Sequence, residues 1–180
     1  MTLAEAILLT ITTAATPLLL AAIGELVVER SGVLNLGVEG MIVMGAVVAF
    51  AAAQLTGSAY LGALFGMAAG CLFSLLFAFL TLTLVANQVA TGLALTILGL
   101  GLSGMIGESF VGQRGVQLDE IAIPVLSSIP LIGNLLFNQD LIFYISIFSV
   151  FGVSWFLFKT RLGLQLRAIG DSHGSAHALG

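Results

Sequence analysis

Charge is what this chain has least of. Only 8% of its 180 residues are Asp, Glu, Lys or Arg, against 59% that are hydrophobic. Soluble domains carry about a quarter charged residues, so the polar surface needed to face water is missing, and so is the polarity of a disordered chain. The mean hydropathy of +1.16 agrees, and lipid is the solvent that suits such a composition. Basic residues are rarer still, 5 against 9 acidic ones, which leaves no electrostatic footprint for a nucleic acid. Cysteine is nearly absent: Cys71 stands alone in an apolar run, so no intrachain disulfide can form and the redox compartment is unreadable. The first 29 residues contain neither Lys nor Arg and include Glu5. A secretory signal begins with positive charge, so the first apolar run is expected to be a permanent span.

What is present is a series of long uncharged runs. A membrane-crossing helix needs about 20 apolar residues. Nineteen uncharged residues lie between Glu5 and Glu25, sixty-eight run from Gly40 to Gly107, and eighteen run from Leu141 to Phe158. Gln54-Leu55-Thr56-Gly57-Ser58 is a turn by its Gly, Ser and Thr content, and Asn87-Gln88 with Thr81, Thr83 and Thr91 marks a bend around 81–88. The expected fold is therefore all-α, a polytopic transmembrane helix bundle with five spans near 6–24, 38–54, 59–80, 87–107 and 140–158. Pro17, after Thr13 and Thr16, is expected to kink the first span. The stretch 118–138 is apolar in parts but holds Pro124, Pro130 and Gly133. Two prolines so close disfavour an uninterrupted helix, and the segment is expected to be a loop with short helices at the interface rather than a sixth span.

Five spans put Arg30 on the same side as Lys159, Arg161 and Arg167, with Arg114 on the other. The bias of basic residues toward the cytoplasm then places the tail after residue 158 inside and the amino terminus outside. Gly62, Gly66 and Gly70 share one helix face, and Gly99, Ser103 and Gly107 repeat the pattern. Small-residue stripes of this kind let membrane helices approach closely.

Chemistry is sparse. The only lysine, Lys159, follows Phe158, and Val153 stands where a phosphate-binding loop needs its first glycine, so energy for any work must come from a partner. His173 and His177 are four apart, but Gly174 replaces the glutamate a zinc-protease motif would carry, and a solvated helix explains them. No nucleophile motif surrounds the Ser, His and Asp of the tail. No enzymatic activity, metal or cofactor is expected. The unusual stretch is 24–40, which gathers Glu25, Glu29, Arg30 and Glu39 between two apolar spans yet is interrupted by Val33, Leu34, Leu36 and Val38. Glu39 abuts the second span, where a buried carboxylate would cost about 2.5–3.5 kcal/mol, so it faces either protein, a water-filled path or the headgroups.

Four motifs carry a resemblance. GELVVERSGVLNLGVEGMIVMGA (24–46), ANQVATGLALTILGLGLSG (86–104), IPVLSSIPLIGNLLFNQDLIFYIS (123–146) and KTRLGLQLRAIGDSHGSAHALG (159–180) occur in order along the chain. Together they resemble the permease subunits of ABC importers of the simple-sugar and nucleoside class, and the first motif looks most like the nucleoside branch. The resemblance implies a single transmembrane permease domain over 1–180, with 159–180 as a cytoplasmic coupling segment that docks on an ATPase subunit. The coupling positions implied are Arg167, Ala168, Gly170, Asp171, Ala176 and Gly180. His173 and His177 depart from the family pattern, and Asp171 or Ser172 is placed to cap a helix beginning there. Asn35, Glu39, Asn87, Gln88 and Thr91 are implied as path residues, since they are the polar groups among the spans. The implied partners are an ATP-binding subunit, a second permease subunit, an extracellular or periplasmic substrate-binding protein, and the bilayer. Family permeases continue into a second group of spans, so this chain is expected to be a portion of a longer one. A simple-sugar permease, an ion-coupled carrier using Glu39, and a purely structural membrane subunit are the alternatives.

Overall fold

The computed structural model describes residues 3–119, 121–122 and 135–178. Five of its helices are long and apolar enough to cross a membrane. Helix α1 runs Leu3–Arg30, α2 Val38–Thr56, α3 Ala59–Ala78 and α4 Gln88–Gly107; α5, Leu141–Lys159, is followed by two short helices, α6 Arg161–Asp171 and α7 His173–Ala178. A π-helical turn, Phe79–Thr83, extends α3, and a 3-10 turn, Glu108–Phe110, extends α4. The span boundaries expected from hydropathy agree with these within a few residues, except at the end of α1. That helix does not stop near 24 but continues through Glu25 and Glu29 to Arg30. At about 1.5 Å per residue its 28 residues exceed a hydrocarbon core of about 30 Å, so the charged turn extends beyond the apolar zone without ending the helix.

Polar residues punctuate the spans by capping them. Gly57, at φ 69°, closes α2 in the left-handed conformation, and Ser58 Oγ accepts from Leu61 N to open α3. Asn87, Asp140 and Thr160 do the same for α4, α5 and α6, accepting from Ala90 N, Phe143 N and Gly163 N at 3.0, 2.8 and 3.0 Å. Helix α1 is continuous across Pro17. The hydroxyls of Thr10, Thr12, Thr13 and Thr16 each donate to the carbonyl four residues earlier, which hides them from lipid.

The chain divides into two compact units. Residues 33–117 form one, in which α2 packs against both α3 and α4. Both glycine stripes face α2. A Cβ on Gly62 would lie 2.6 Å from the Ala49 carbonyl, and one on Gly66 2.7 Å from that of Gly45. On the other flank, a Cβ on Gly40 would lie 2.6 Å from Leu95 O, and one on Gly99 2.7 Å from Gly40 O. Backbones meet where lipid supplies no hydrophobic drive between helices.

The other unit is discontinuous, made of 1–32 and 118–180. In it α1 packs along α5, and α6 packs on both. Gly163 turns the corner, its Cα so close to Leu157 that a Cβ would come within 2.7 Å of the Leu157 Cα. Gly170 then meets the end of α1: its Cβ would press on the Arg30 carbonyl and lie 2.9 Å from Gly32 N. Arg30 and Lys159 therefore end their helices at the same side, as the five-span reading requires of them. Around the segment 118–138, Ile121 and Ala122 pair antiparallel with Gln139 and Asn138, and residues 135–136 are helical. Pro124, Pro130 and Gly133, and most of the loop with short helices expected there, lie outside the described residues.

Candidate functional site: a loop held on helix α4

Between α1 and α2 the backbone is irregular over Val33–Gly37. Unpaired backbone polar groups are costly in an apolar setting, and here side chains satisfy them. Leu34 N donates to Gln88 Oε1 at 2.8 Å, Gly37 N donates to Asn35 Oδ1 at 3.0 Å, and Thr96 Oγ1 donates to Leu36 O at 3.1 Å. Asn35 is 6% exposed, and its Nδ2 lies 3.6 Å from Met41 Sδ. Between the two α4 contacts, Gly92 leaves the space the loop occupies, since a Cβ there would sit 2.8 Å from Gly37 N and 3.0 Å from Leu36. Gln88, Gly92 and Thr96 fall at i, i+4 and i+8, one face of a helix.

Two of the five expected path residues, Asn35 and Gln88, thus meet at this loop, and their carbonyl oxygens are engaged by backbone amides. Thr91 is buried next to Gly92. It is the polar member of an apolar groove of about 400 Å³ between the end of α3 and α4, lined otherwise by Leu76, Leu80, Ala90, Ala94, Leu95 and Leu98. Asn87 is exposed and caps α4. Glu39 is exposed in the first turn of α2, where its charge complements the helix dipole. Thr96 was not singled out by the sequence reading, though its four-residue spacing from Gly92 and Gln88 is the signal that marks it.

The groove borders a strained connection. Val85 adopts φ 54°, a left-handed conformation that a β-branched residue rarely takes. It follows the π-helical turn and precedes the Asn87 cap.

Within the coupling segment expected over 159–180, the described residues form two short helices. Thr160 starts the first at Arg161. Ser172, in an extended conformation, breaks the run and accepts from Ser175 N at 3.4 Å, so of Asp171 and Ser172 it is Ser172 that caps. Gly163, Leu166, Arg167 and Gly170 are the packed side of α6, while Ala168 and Asp171 are exposed and Ala176 is half-buried. Gly180 lies outside the described residues. His173 and His177 are both exposed on α7, and among the described residues no group of three or more His, Cys, Asp or Glu is placed to hold a metal.

The family model described as "Branched-chain amino acid transport system / permease component" matches residues 7–180. A provisionally named glucose ABC transporter permease protein of Haloferax volcanii is 39% identical, over 93% of this chain and 52% of its own length. A guanosine ABC transporter permease protein of Bacillus subtilis is 36% identical over 92% of this chain and 56% of its own. A nucleoside ABC transporter permease protein of Lactococcus lactis is 35% identical with the same two coverages, 92% and 56%. No solved structure matches. The chain thus spans about half the length of the curated relatives it matches. With five apolar helices, four ordered motifs and a family match over nearly its whole length, it is a multi-pass protein of the plasma membrane and belongs to the permease-component family of branched-chain amino acid transport systems.

Proposed function

We propose that this chain is part of the permease subunit of an ATP-driven importer, and that the whole permease carries nucleosides. The observation that carries the substrate class is the similarity to two relatives named for guanosine and nucleoside transport. The Glu-Arg-Ser-Gly-Val-Leu-Asn-Leu-Gly-Val-Glu-Gly stretch at 29–40 points the same way. Simple sugars are the second reading, favoured by the glucose-named relative. The ATP-binding subunit, a second permease and a substrate-binding protein are the partners of this machine, and the chain itself performs no catalysis.

In this reading the loop Val33–Gly37 and the N-terminal half of α4 border the path. Asn35, Glu39, Asn87, Gln88 and Thr91 present amides, a carboxylate and a hydroxyl among apolar spans. The oxygens of Asn35 and Gln88 hold the loop, so their part is to shape the wall, while Thr91 and Glu39 are the groups left to meet cargo. A wall that is mostly apolar holds a polar solute weakly, which suits passage rather than storage. Arg167, Ala168, Gly170, Asp171, Ala176 and Gly180 form the coupling surface. The packing of Gly170 on Arg30 and Gly32 gives a push on the tail a direct route into α1.

The test is uptake by cells expressing the full-length gene with its neighbouring transporter genes, using labelled nucleosides, pentoses and glucose. Nucleoside uptake that stops when the ATPase phosphate loop is mutated supports the importer. Uptake that instead stops when the proton gradient collapses, with ATP intact, overturns it in favour of an ion-coupled carrier.

A further inference from the structure

Four of the five basic residues lie in the unit formed by α1, α5, α6 and α7, and three of them, Lys159, Arg161 and Arg167, surround the corner between α5 and α6. Lys159 and Arg161 are exposed. The Arg167 guanidinium reaches back to the last turn of α5 and sits 4.9 Å from the centre of the Phe158 ring. Its Nε is buried without a hydrogen-bond partner. Three cations gathered at one corner suit an anion.

An apolar track leads to that corner. Phe148, Phe151, Trp155 and Phe158 of α5 are 72, 68, 64 and 55% exposed. They follow one another at three- and four-residue steps, so they form one stripe along the helix. The stripe ends at the ring that Arg167 covers. Beyond the corner, Leu162 and Ile169 of α6 are also exposed and lie on one edge of that helix. Arg161 and Gln165, both exposed, flank that edge on one side, as in a helix resting in a membrane interface.

We infer that this corner and stripe bind an anionic phospholipid, with the phosphate held by Lys159, Arg161 and Arg167 and an acyl chain lying along Phe158, Trp155 and Phe151. The excess of basic residues assigns this end to the cytoplasmic leaflet, whose anionic lipids are drawn to clustered Lys and Arg beside a span. Charge complementarity selects the lipid: an apolar stripe alone would accept a helix or any acyl chain, but a stripe that ends in three clustered cations matches an amphiphile with a charged head at the same depth. The site shares Arg167 with the proposed coupling surface but not its exposed positions Ala168 and Asp171, and it does not depend on which solute is carried.

The experiment is native mass spectrometry of the full-length permease complex released from detergent, with added dioleoylphosphatidylglycerol or dioleoylphosphatidylcholine. The wild type is expected to retain phosphatidylglycerol in preference to phosphatidylcholine. The Lys159→Gln, Arg161→Gln double variant is expected to bind phosphatidylglycerol roughly tenfold more weakly, while Arg114→Gln, at the other side by the five-span reading, leaves it unchanged. Equal retention of the two lipids by the wild type, or unchanged retention by the double variant, overturns the site. Should the double variant not assemble, the wild type alone decides: phosphatidylglycerol retention must fall as ionic strength rises, and indifference to salt overturns the proposal. A photo-crosslinker at Phe151 that captures phospholipid supports it, and one that captures a second permease subunit shows the stripe to be a protein interface and overturns it.

Discussion

The loop between α1 and α2 and the corner between α5 and α6 are both places where the chain leaves an apolar helix, yet they treat their polar groups in opposite ways. In the loop, Gln88, Asn35 and Thr96 turn inward and bond Leu34 N, Gly37 N and Leu36 O. At the corner only Thr160 turns inward, to Gly163 N and Phe156 O, and Lys159 and Arg161 remain exposed. Polar side chains in the first case are scaffold, in the second surface. The same residue classes therefore carry different meanings according to whether a backbone group nearby lacks a partner. An amide near an irregular segment is recruited by the backbone, whereas Lys159 and Arg161, beside a capped helix, stay at the surface.

Substitutions sharpen that contrast in descending order of effect. Gly92→Leu should be the most damaging, because even its Cβ would sit 2.8 Å from Gly37 N, and overpacking of this kind costs about 1–3 kcal/mol or more. Most folded protein should disappear from size-exclusion profiles in mild detergent, and a normal profile would mean the loop does not rest on α4. Gly170→Val comes next. It should detach α6 from Arg30 and Gly32 while leaving the spans inserted, so the ATPase no longer co-purifies although a cysteine at Ser175 keeps its sidedness of labelling. Full co-purification would remove Gly170 from the coupling surface.

Asn35→Ala removes the acceptor for Gly37 N in a buried setting and should cost about 1–3 kcal/mol. This would appear as a lowered unfolding temperature in the full-length protein, with Lys159→Gln showing no comparable drop. If the two variants lose equal stability, the division into scaffold and surface fails. Glu39→Gln should change stability least, since the carboxylate is exposed. It should alter the rate of nucleoside uptake several-fold if the residue borders the path, and unchanged kinetics would return it to the headgroup zone.

Hydropathy alone located five spans, because a run of apolar residues of bilayer length has few other fates. The ends were less legible. Glu25, Glu29 and Arg30 fell outside the first span as expected from hydropathy, yet the backbone stays helical to Arg30, since charge at a helix end that leaves the apolar zone carries no penalty. The glycine stripes announced close packing, and the structure supplies its partner: both face α2, with Gly40 giving a reciprocal gap opposite Gly99. At the candidate site the polar residues were visible but their tasks were not. Asn87 differs from Gln88 only in falling at the helix boundary rather than one residue inside, and that offset makes one a cap and the other a tether. The tail was marked as a coupling segment with Asp171 or Ser172 as a helix cap, and the structure selects Ser172, whose extended backbone ends α6 and whose hydroxyl opens α7.

The discontinuous unit has a consequence for biosynthesis. Helix α2 meets α3 as soon as the next stretch of chain emerges, whereas α1 must wait for Leu141–Lys159 to be made before its packing partner exists. At about 5–20 residues per second, that interval lasts roughly 5–20 s, during which the first span waits in the bilayer without its mate. A newborn molecule of this protein is thus exposed to insertases and quality-control proteases through α1, and lesions in α5 should be detected by the cell as faults in α1.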